Sequence, residues 1–388
     1  MYRKQRRLPK SFFLSIFLAG VLLLSACSGS GTADLVHQFQ SYGADFAKKA
    51  ATTYPRRPAG SEAEKALGDM IFEEFTRLGF KPEFQEVNLP DGGKSRNVIV
   101  RIPGSGFTAD EDRLKTFNYD IYDRRAKAED GLFHRNVVIG ARYDTDPEAA
   151  EESDGISDNA SGLGALLLTG QTLKRYKVGY DVTLVALGGG FADLAGARTF
   201  VESLDADKLA MTDIFYEYRN LYAGEKLYGH AGWSSLKPDS KYKFRQPLYA
   251  IQDLAIVERL LDKTGIALYG NQSTYKVDNP LGEGQVVFRD FSLHQSDYRA
   301  FDEKGIPVVF FESYNYGAEK QEDLVENNDP NYQSTNFKVS GTAFDNTESL
   351  EKLSEKQFLE RRINATVYLV YLALEQGGLG GQSYSLVS

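Results

Sequence analysis

The apolar positions of this chain follow two alternating rhythms. Between Ser61 and Leu78, the residues Leu67, Met70, Ile71, Phe72, Phe75 and Leu78 recur at helical spacing, which gives a helix one apolar side. Ser61 stands as N-cap with Glu64 three residues on, and Gly79 follows as the stop. Asp34 to Ala51, Gly162 to Leu173 and Thr347 to Leu374 read as further helices. Between them lie short apolar runs of strand length: Asn136–Ala141 ("NVVIGA"), Val182–Leu187, Ile214–Tyr218 and Pro307–Phe311, with Lys81–Val87 and Asn97–Ile102 before them. Strands alternating with helices predict an α/β fold, a mostly parallel central sheet sandwiched between helices. In such sheets chemistry collects at the carboxyl ends of the strands.

Two stretches fall outside this rhythm. Ser105 to Arg135 is rich in charges and aromatics with little periodicity. It reads as a charged insertion within a single domain spanning residues 35–388, and structureless segments of that length are often functional. At the other place, the amino terminus, Arg3, Lys4, Arg6, Arg7 and Lys10 precede an apolar run, Phe12 to Leu24, too short to span a bilayer comfortably. The run ends in Leu24-Ser25-Ala26-Cys27, which resembles the lipobox of bacterial lipoproteins. Residues 1–26 are therefore expected to be a cleaved signal peptide, Cys27 the lipid acceptor, and 27–34 a Gly/Ser-rich tether. The expected location is the bacterial cell envelope, with the domain anchored to a membrane outside the cytoplasm. Cys27 is the only cysteine in 388 residues, so no disulfide within the chain is possible. Losing the five leader charges takes the formal net charge from −9 to −14. So acidic a chain does not suggest a nucleic-acid partner.

The candidate chemistry lies in loops. Gly188, Gly189 and Gly190 follow a predicted strand in "LVALGGGFADLAGARTF". They form neither G-x-G-x-x-G nor a phosphate loop with Gly-Lys-Ser/Thr, and no G-x-S-x-G occurs in the chain. The four histidines, His37, His134, His230 and His294, read individually as surface or core residues.

Read in order, "RYDTD" (Arg142–Asp146), "SDGISDNASGLGALLL" (Ser153–Leu168), the glycine stretch, "SDYRAFDEKGIPVVFF" (Ser296–Phe311) and "NDPNYQST" (Asn328–Thr335) resemble metallopeptidase family 28, the two-zinc aminopeptidases and their relatives. "PRRPAGSEAEKALGDMIFEEFTRLGF" resembles that family's entry helix, and the resemblance runs from about Ala50 to the C-terminus. It implies two zinc ions sharing a bridging Asp, each with a His and another carboxylate, and a Glu as general base.

Most of that equipment is replaced here. The bridging Asp falls on Asp158, which is present. The first His falls on Arg142, followed by the surviving Asp144. The Glu-Glu pair falls on Gly190, the general-base position, and on Phe191. The next carboxylate falls on Glu217, the last His on Gln333, and a His frequent in the "SDH" segment on Tyr298. A guanidinium is a fixed cation without a lone pair, so Arg142 cannot serve zinc. Arg142 is expected between Asp158 and Glu217 as a stand-in for the missing cation, with Phe191 filling the second metal position beside Asp158 and Gln333. No zinc or other cofactor is expected. The acidic residues from Asp144 to Asp158 leave an all-oxygen calcium site conceivable. The expected function is a lipid-anchored, catalytically degenerate peptidase-fold protein binding a peptide, a cell-wall fragment or an envelope protein. The alternative is an active metal-dependent peptidase with a rearranged site.

Overall fold

The computed structural model describes residues 36, 38–108, 132, 134–238, 241–375 and 385–386. Cys27, the tether and most of the charged insertion lie outside them. From Phe39 onward the chain is one compact unit.

Two helices, α1 (Tyr42–Thr53) and α2 (Glu62–Arg77), lead into the antiparallel pair β1 (Glu83–Asn88) and β2 (Lys94–Ile102). A two-residue strand β3 (Phe107–Thr108) precedes β4 (Asn136–Arg142), α3 (Ser161–Arg175) and β5 (Asp181–Leu187). Next come α4 (Ala195–Glu202), α5 (Ala206–Met211), β6 (Thr212–Tyr218) and β7 (Lys226–Ala231). Then follow α6 (Lys241–Val257), α7 (Leu260–Thr264), β8 (Leu268–Gly270) and the hairpin β9 (Lys276–Asp278) with β10 (Gln285–Val287). The chain finishes through α8 (Tyr298–Glu303), β11 (Val308–Tyr314), α9 (Thr347–Leu353), α10 (Phe358–Glu375) and β12 (Ser385–Leu386), which pairs with β3.

Eight strands form the main sheet in the order β1-β2-β5-β4-β6-β11-β7-β8. Its centre, β5-β4-β6-β11, is parallel, while β1, β2 and β7 run antiparallel to a neighbour. α1, α3, α6 and α10 pack together on one face. On the other, α4 and α8 bury Ala197, Phe200 and Phe301 against Val185, Phe215 and Phe310. The Phe215 and Phe301 rings stack at 3.6 Å. The sheet is thus covered on both faces, which is why its central strands read as unbroken apolar runs. β4 is followed in sequence by β5 on one side and later by β6 on the other, so a topological switch point opens at its carboxyl end.

The predicted strands and helices are present with small shifts of boundary. Two expectations change: the single helix from Thr347 to Leu374 is two, interrupted between Leu353 and Phe358, where Gln357 takes φ +61°, and the helix expected from Asp34 to Ala51 is broken by a turn at Gln40 and Ser41, where Gln40 takes φ +51°, its regular part starting at Tyr42. β7, β8, the β9–β10 hairpin and α6 are additions that the apolar periodicity did not reveal. Among the described residues no helix is long and apolar enough to cross a membrane.

Candidate functional site

The loops leaving β4, β5 and β6 converge at the switch point. Arg142 ends β4, and only 3% of its surface is exposed. Its Nε donates to Asp297 Oδ2 at 2.8 Å, and Asp297 is fully buried. The guanidinium lies over the Phe191 ring, 4.6 Å from its centroid, a cation–π contact on top of the ion pair. Burial works against the charge, but Asp297, Asp144 and Glu217 outweigh it and hold Arg142 above its ordinary value. The pair is incompletely satisfied: Arg142 Nη2 and Asp297 Oδ1 are buried without a hydrogen-bond partner.

Gly190 explains how the guanidinium fits. A Cβ built there would lie 2.1 Å from Arg142 Nε and 2.7 Å from its Cδ and Cζ. A side chain at 190 and the observed Arg142 exclude one another. The glycine therefore has a role of its own, as the space into which the arginine folds.

Asp144 is held by the same loop. Its two carboxylate oxygens accept from the Gly190 and Phe191 backbone N–H groups, each at 2.8 Å. Burial pushes it up to about 7 against the Arg142 charge. Glu217 accepts from the Ser296 hydroxyl and, at 2.6 Å, from the Tyr298 N–H; burial, then Asp297, push it up to about 7. Glu64, the acidic residue three positions after the N-cap in the predicted capping box, reaches into the site as well. Ser61 caps α2 by accepting from Glu64 N–H, while the Glu64 carboxylate accepts from Gly60 N–H (2.6 Å), the Ser95 hydroxyl (2.7 Å) and Gly189 N–H (2.8 Å). One buried carboxylate thus ties the entry helix to the glycine loop.

Asp158 corrects the expected arrangement. It sits on a wide helical turn, Ile156–Ala160, and its partner is Arg219, whose Nη2 lies 3.4 Å from Oδ1. Arg219 also donates to the Gln295 carbonyl at 3.1 Å. Arg142 therefore does not lie between Asp158 and Glu217, because Asp297 is the carboxylate its Nε meets. Phe191 packs under Arg142, and Gln333 is exposed on the short helical turn Pro330–Thr335. Tyr298 is buried, its hydroxyl donating to the His294 carbonyl at 3.1 Å.

Three partners escaped the sequence reading. Asp297 and Arg219 each follow a named residue by one or two positions, and their charge was the available signal. Arg57, fully buried in "PRRPAG", donates to the Tyr143, Tyr54 and Asp154 carbonyls and to Asn159 Oδ1. Burial lowers it to about 10. A fourth feature is His294. Its Nδ1 lies 2.8 Å from Glu312 Oε2, and the ring is 39% exposed. Glu312 is buried; that burial is outweighed by His294 and His230, which hold it well below the usual carboxylate range.

The donor set does not fit a two-zinc centre. Arg142 and Arg219 bring two fixed cations to the carboxylates, the Asp144 oxygens are taken by backbone N–H groups, and Gly190 and Phe191 offer no donor side chain. The acidic stretch also divides. Asp154 is spent on the N–H groups of Ile156 and Thr347, and Asp345, which packs beside the stretch, on those of Ser157 and Gly341, while Glu148, Glu151 and Glu152 face solvent. Among the described residues no group of three or more His, Cys, Asp or Glu is placed to hold a metal ion.

Residues 124–343 match peptidase family M28. The alkaline phosphatase isozyme conversion protein of Escherichia coli (strain K12) is 26% identical over 295 residues, 72% of this chain and 75% of that protein. Among solved structures, a zinc aminopeptidase from Bacillus subtilis aligns with TM-score 0.57 at 13% identity, covering 86% of this chain and 95% of its own. A glutaminyl cyclase from Porphyromonas gingivalis aligns with TM-score 0.54 at 16% identity, covering 87% and 98%.

Proposed function

The chain belongs to peptidase family M28, and on that premise we propose that it is a lipid-anchored, catalytically degenerate member that binds a peptide, a cell-wall fragment or another envelope protein. One observation carries the reading: Arg142 and Gly190 are mutually dependent, the first occupying the space that any side chain at the second would need. Loss of one ligand could be offset by a neighbour. A guanidinium packed into the glycine's space, ion-paired to Asp297 and resting on Phe191, is a built replacement. The leader and Cys27 support the anchor.

A second reading, hydrolysis by other groups, has its own observation. His294 is a half-exposed imidazole oriented by a buried carboxylate, one residue before Gln295, whose carbonyl accepts from Arg219. A His backed by a carboxylate is a recurrent general base. The test is turnover of aminoacyl anilides and of N-terminal glutaminyl peptides by the purified protein, with and without added zinc. The binding reading expects none above buffer. Turnover lost in His294→Ala would establish the second reading, and turnover requiring zinc would refute both.

A further inference from the structure

Among the described residues, the exposed large apolar side chains concentrate at one place. Ile256, Val257 and Leu261 are 75%, 72% and 56% exposed, within six residues at the junction of α6 and α7. Single exposed apolar residues are ordinary, whereas three adjacent large ones mark an interaction site. The junction is held firmly. Leu260 between them is buried, Lys263 Nζ donates to Tyr368 Oη and Glu258 Oε2, each at 2.9 Å, and Arg361 closes over Gly265. The three apolar side chains thus project from a fixed knuckle rather than a loose end.

The knuckle lies close to where the chain enters the domain. Arg361 and Tyr368, which hold the knuckle, lie on one stripe of α10 with Asn364, at i, i+3 and i+7. Asn364 Nδ2 donates to the Gln40 carbonyl at 3.1 Å, where the chain enters the domain. The entry point and the knuckle are fastened to the same face of the same helix, and Asn364 and Tyr368 are separated by about 6 Å of helix rise. Twelve residues join Cys27 to Phe39, a reach of at most about 40 Å. The charges around the knuckle, Arg259 with Asp262 and Lys263 with Glu258, are already paired, so the surface offers apolar contact rather than a net field.

We propose that Ile256, Val257 and Leu261 dip into the interface of the bilayer that holds the Cys27 lipid, a second contact that fixes the domain's orientation on the membrane. This rests on the lipid-anchor reading. A lipid at the end of a flexible tether holds the domain near the membrane but leaves its orientation free, and only an apolar contact on the domain itself fixes which side faces the bilayer. The knuckle supplies that contact on the entry side of the molecule.

The test uses the full acylated protein. Lipid consumes the thiol of Cys27, so Val257→Cys introduces the one reactive thiol, to be labelled with an environment-sensitive fluorophore. A control carries Lys208→Cys on α5, which packs through Leu209 on the opposite face of the sheet. In phosphatidylethanolamine/phosphatidylglycerol vesicles with shallow nitroxide-labelled lipid, quenching at 257 should exceed that at 208 several-fold. Ile256→Asn with Leu261→Asn should bring the two to parity without lowering the melting temperature. Equal quenching in the parent overturns the proposal and leaves the anchor standing. Protein-concentration-dependent self-quenching at 257 without lipid quenching assigns the knuckle to a second copy and likewise overturns it. An unmodified Cys27 by mass measurement removes the anchor reading and the proposal with it.

Discussion

Gly190→Ala is the perturbation that most sharply tests the arginine-filled site. Gly190 is not among the residues with positive φ, so the backbone itself accepts alanine. The cost comes from one atom. The new Cβ would lie 2.1 Å from Arg142 Nε, more than 1 Å inside ordinary contact, so Arg142 must leave. Its departure breaks the buried pair with Asp297 and strands a carboxylate whose exposure is 0%. Breaking such a pair from one side costs about 3–5 kcal/mol. Arg142→Ala should cost a similar amount for the same reason. In the double variant the clash has no object, so Gly190→Ala added to Arg142→Ala should change stability by less than about 1 kcal/mol. The coupling is then about 2–5 kcal/mol, at or beyond the upper end for contacting residues. Urea unfolding with unchanged m-value reads it directly. Gly190→Ala as stable as the parent, or additive single effects, would refute the reasoning.

The pair's identity gives a second expectation: Arg142→Ala/Asp297→Ala should recover part of the Arg142→Ala loss, while Arg142→Ala/Asp158→Ala should not, as urea midpoints will report. The buried acids set a pH dependence. Glu217 and Asp144 titrate near 7 in the folded chain and near 4 when unfolded, so the native state holds their protons longer. Their contribution is complete below about pH 4 and is lost as pH rises through about 7. Glu217→Gln should flatten the fall in stability between pH 5 and 8 by on the order of 2–3 kcal/mol; an unchanged slope counts against it. Glu64→Ala leaves the Gly60 and Gly189 N–H groups and the Ser95 hydroxyl without their acceptor and should cost about 3 kcal/mol or more, measured as a lowered urea midpoint. Cys27→Ser should leave an unprocessed precursor without lipid label, visible as a larger mass.

Legibility in the sequence followed the physics of each feature. Central strands such as β4 and β5 are buried on both faces, so their apolar runs were readable. β7 and the β9–β10 hairpin took no part in that alternation and were missed. Within the site, single substitutions such as Arg142, Gly190 and Phe191 could be placed by motif. Their partners could not, since Asp297 reaches Arg142 across 155 positions and only packing decides between it and Asp158. The Glu64 carboxylate shows the same limit: its local role at the helix start was evident, its bond to Gly189, 125 positions away, was not.

The proposed loss of catalysis turns on arginine standing where a metal would be held. The most direct measurement is the zinc affinity of the unmodified, metal-stripped protein, by competition with a chromophoric chelator, alongside Arg142→His. No stoichiometric binding at micromolar zinc or below is expected for either protein, because Gly190, Phe191 and Gln333 still supply none of the missing ligands. Two equivalents bound tightly by the unmodified chain would contradict it.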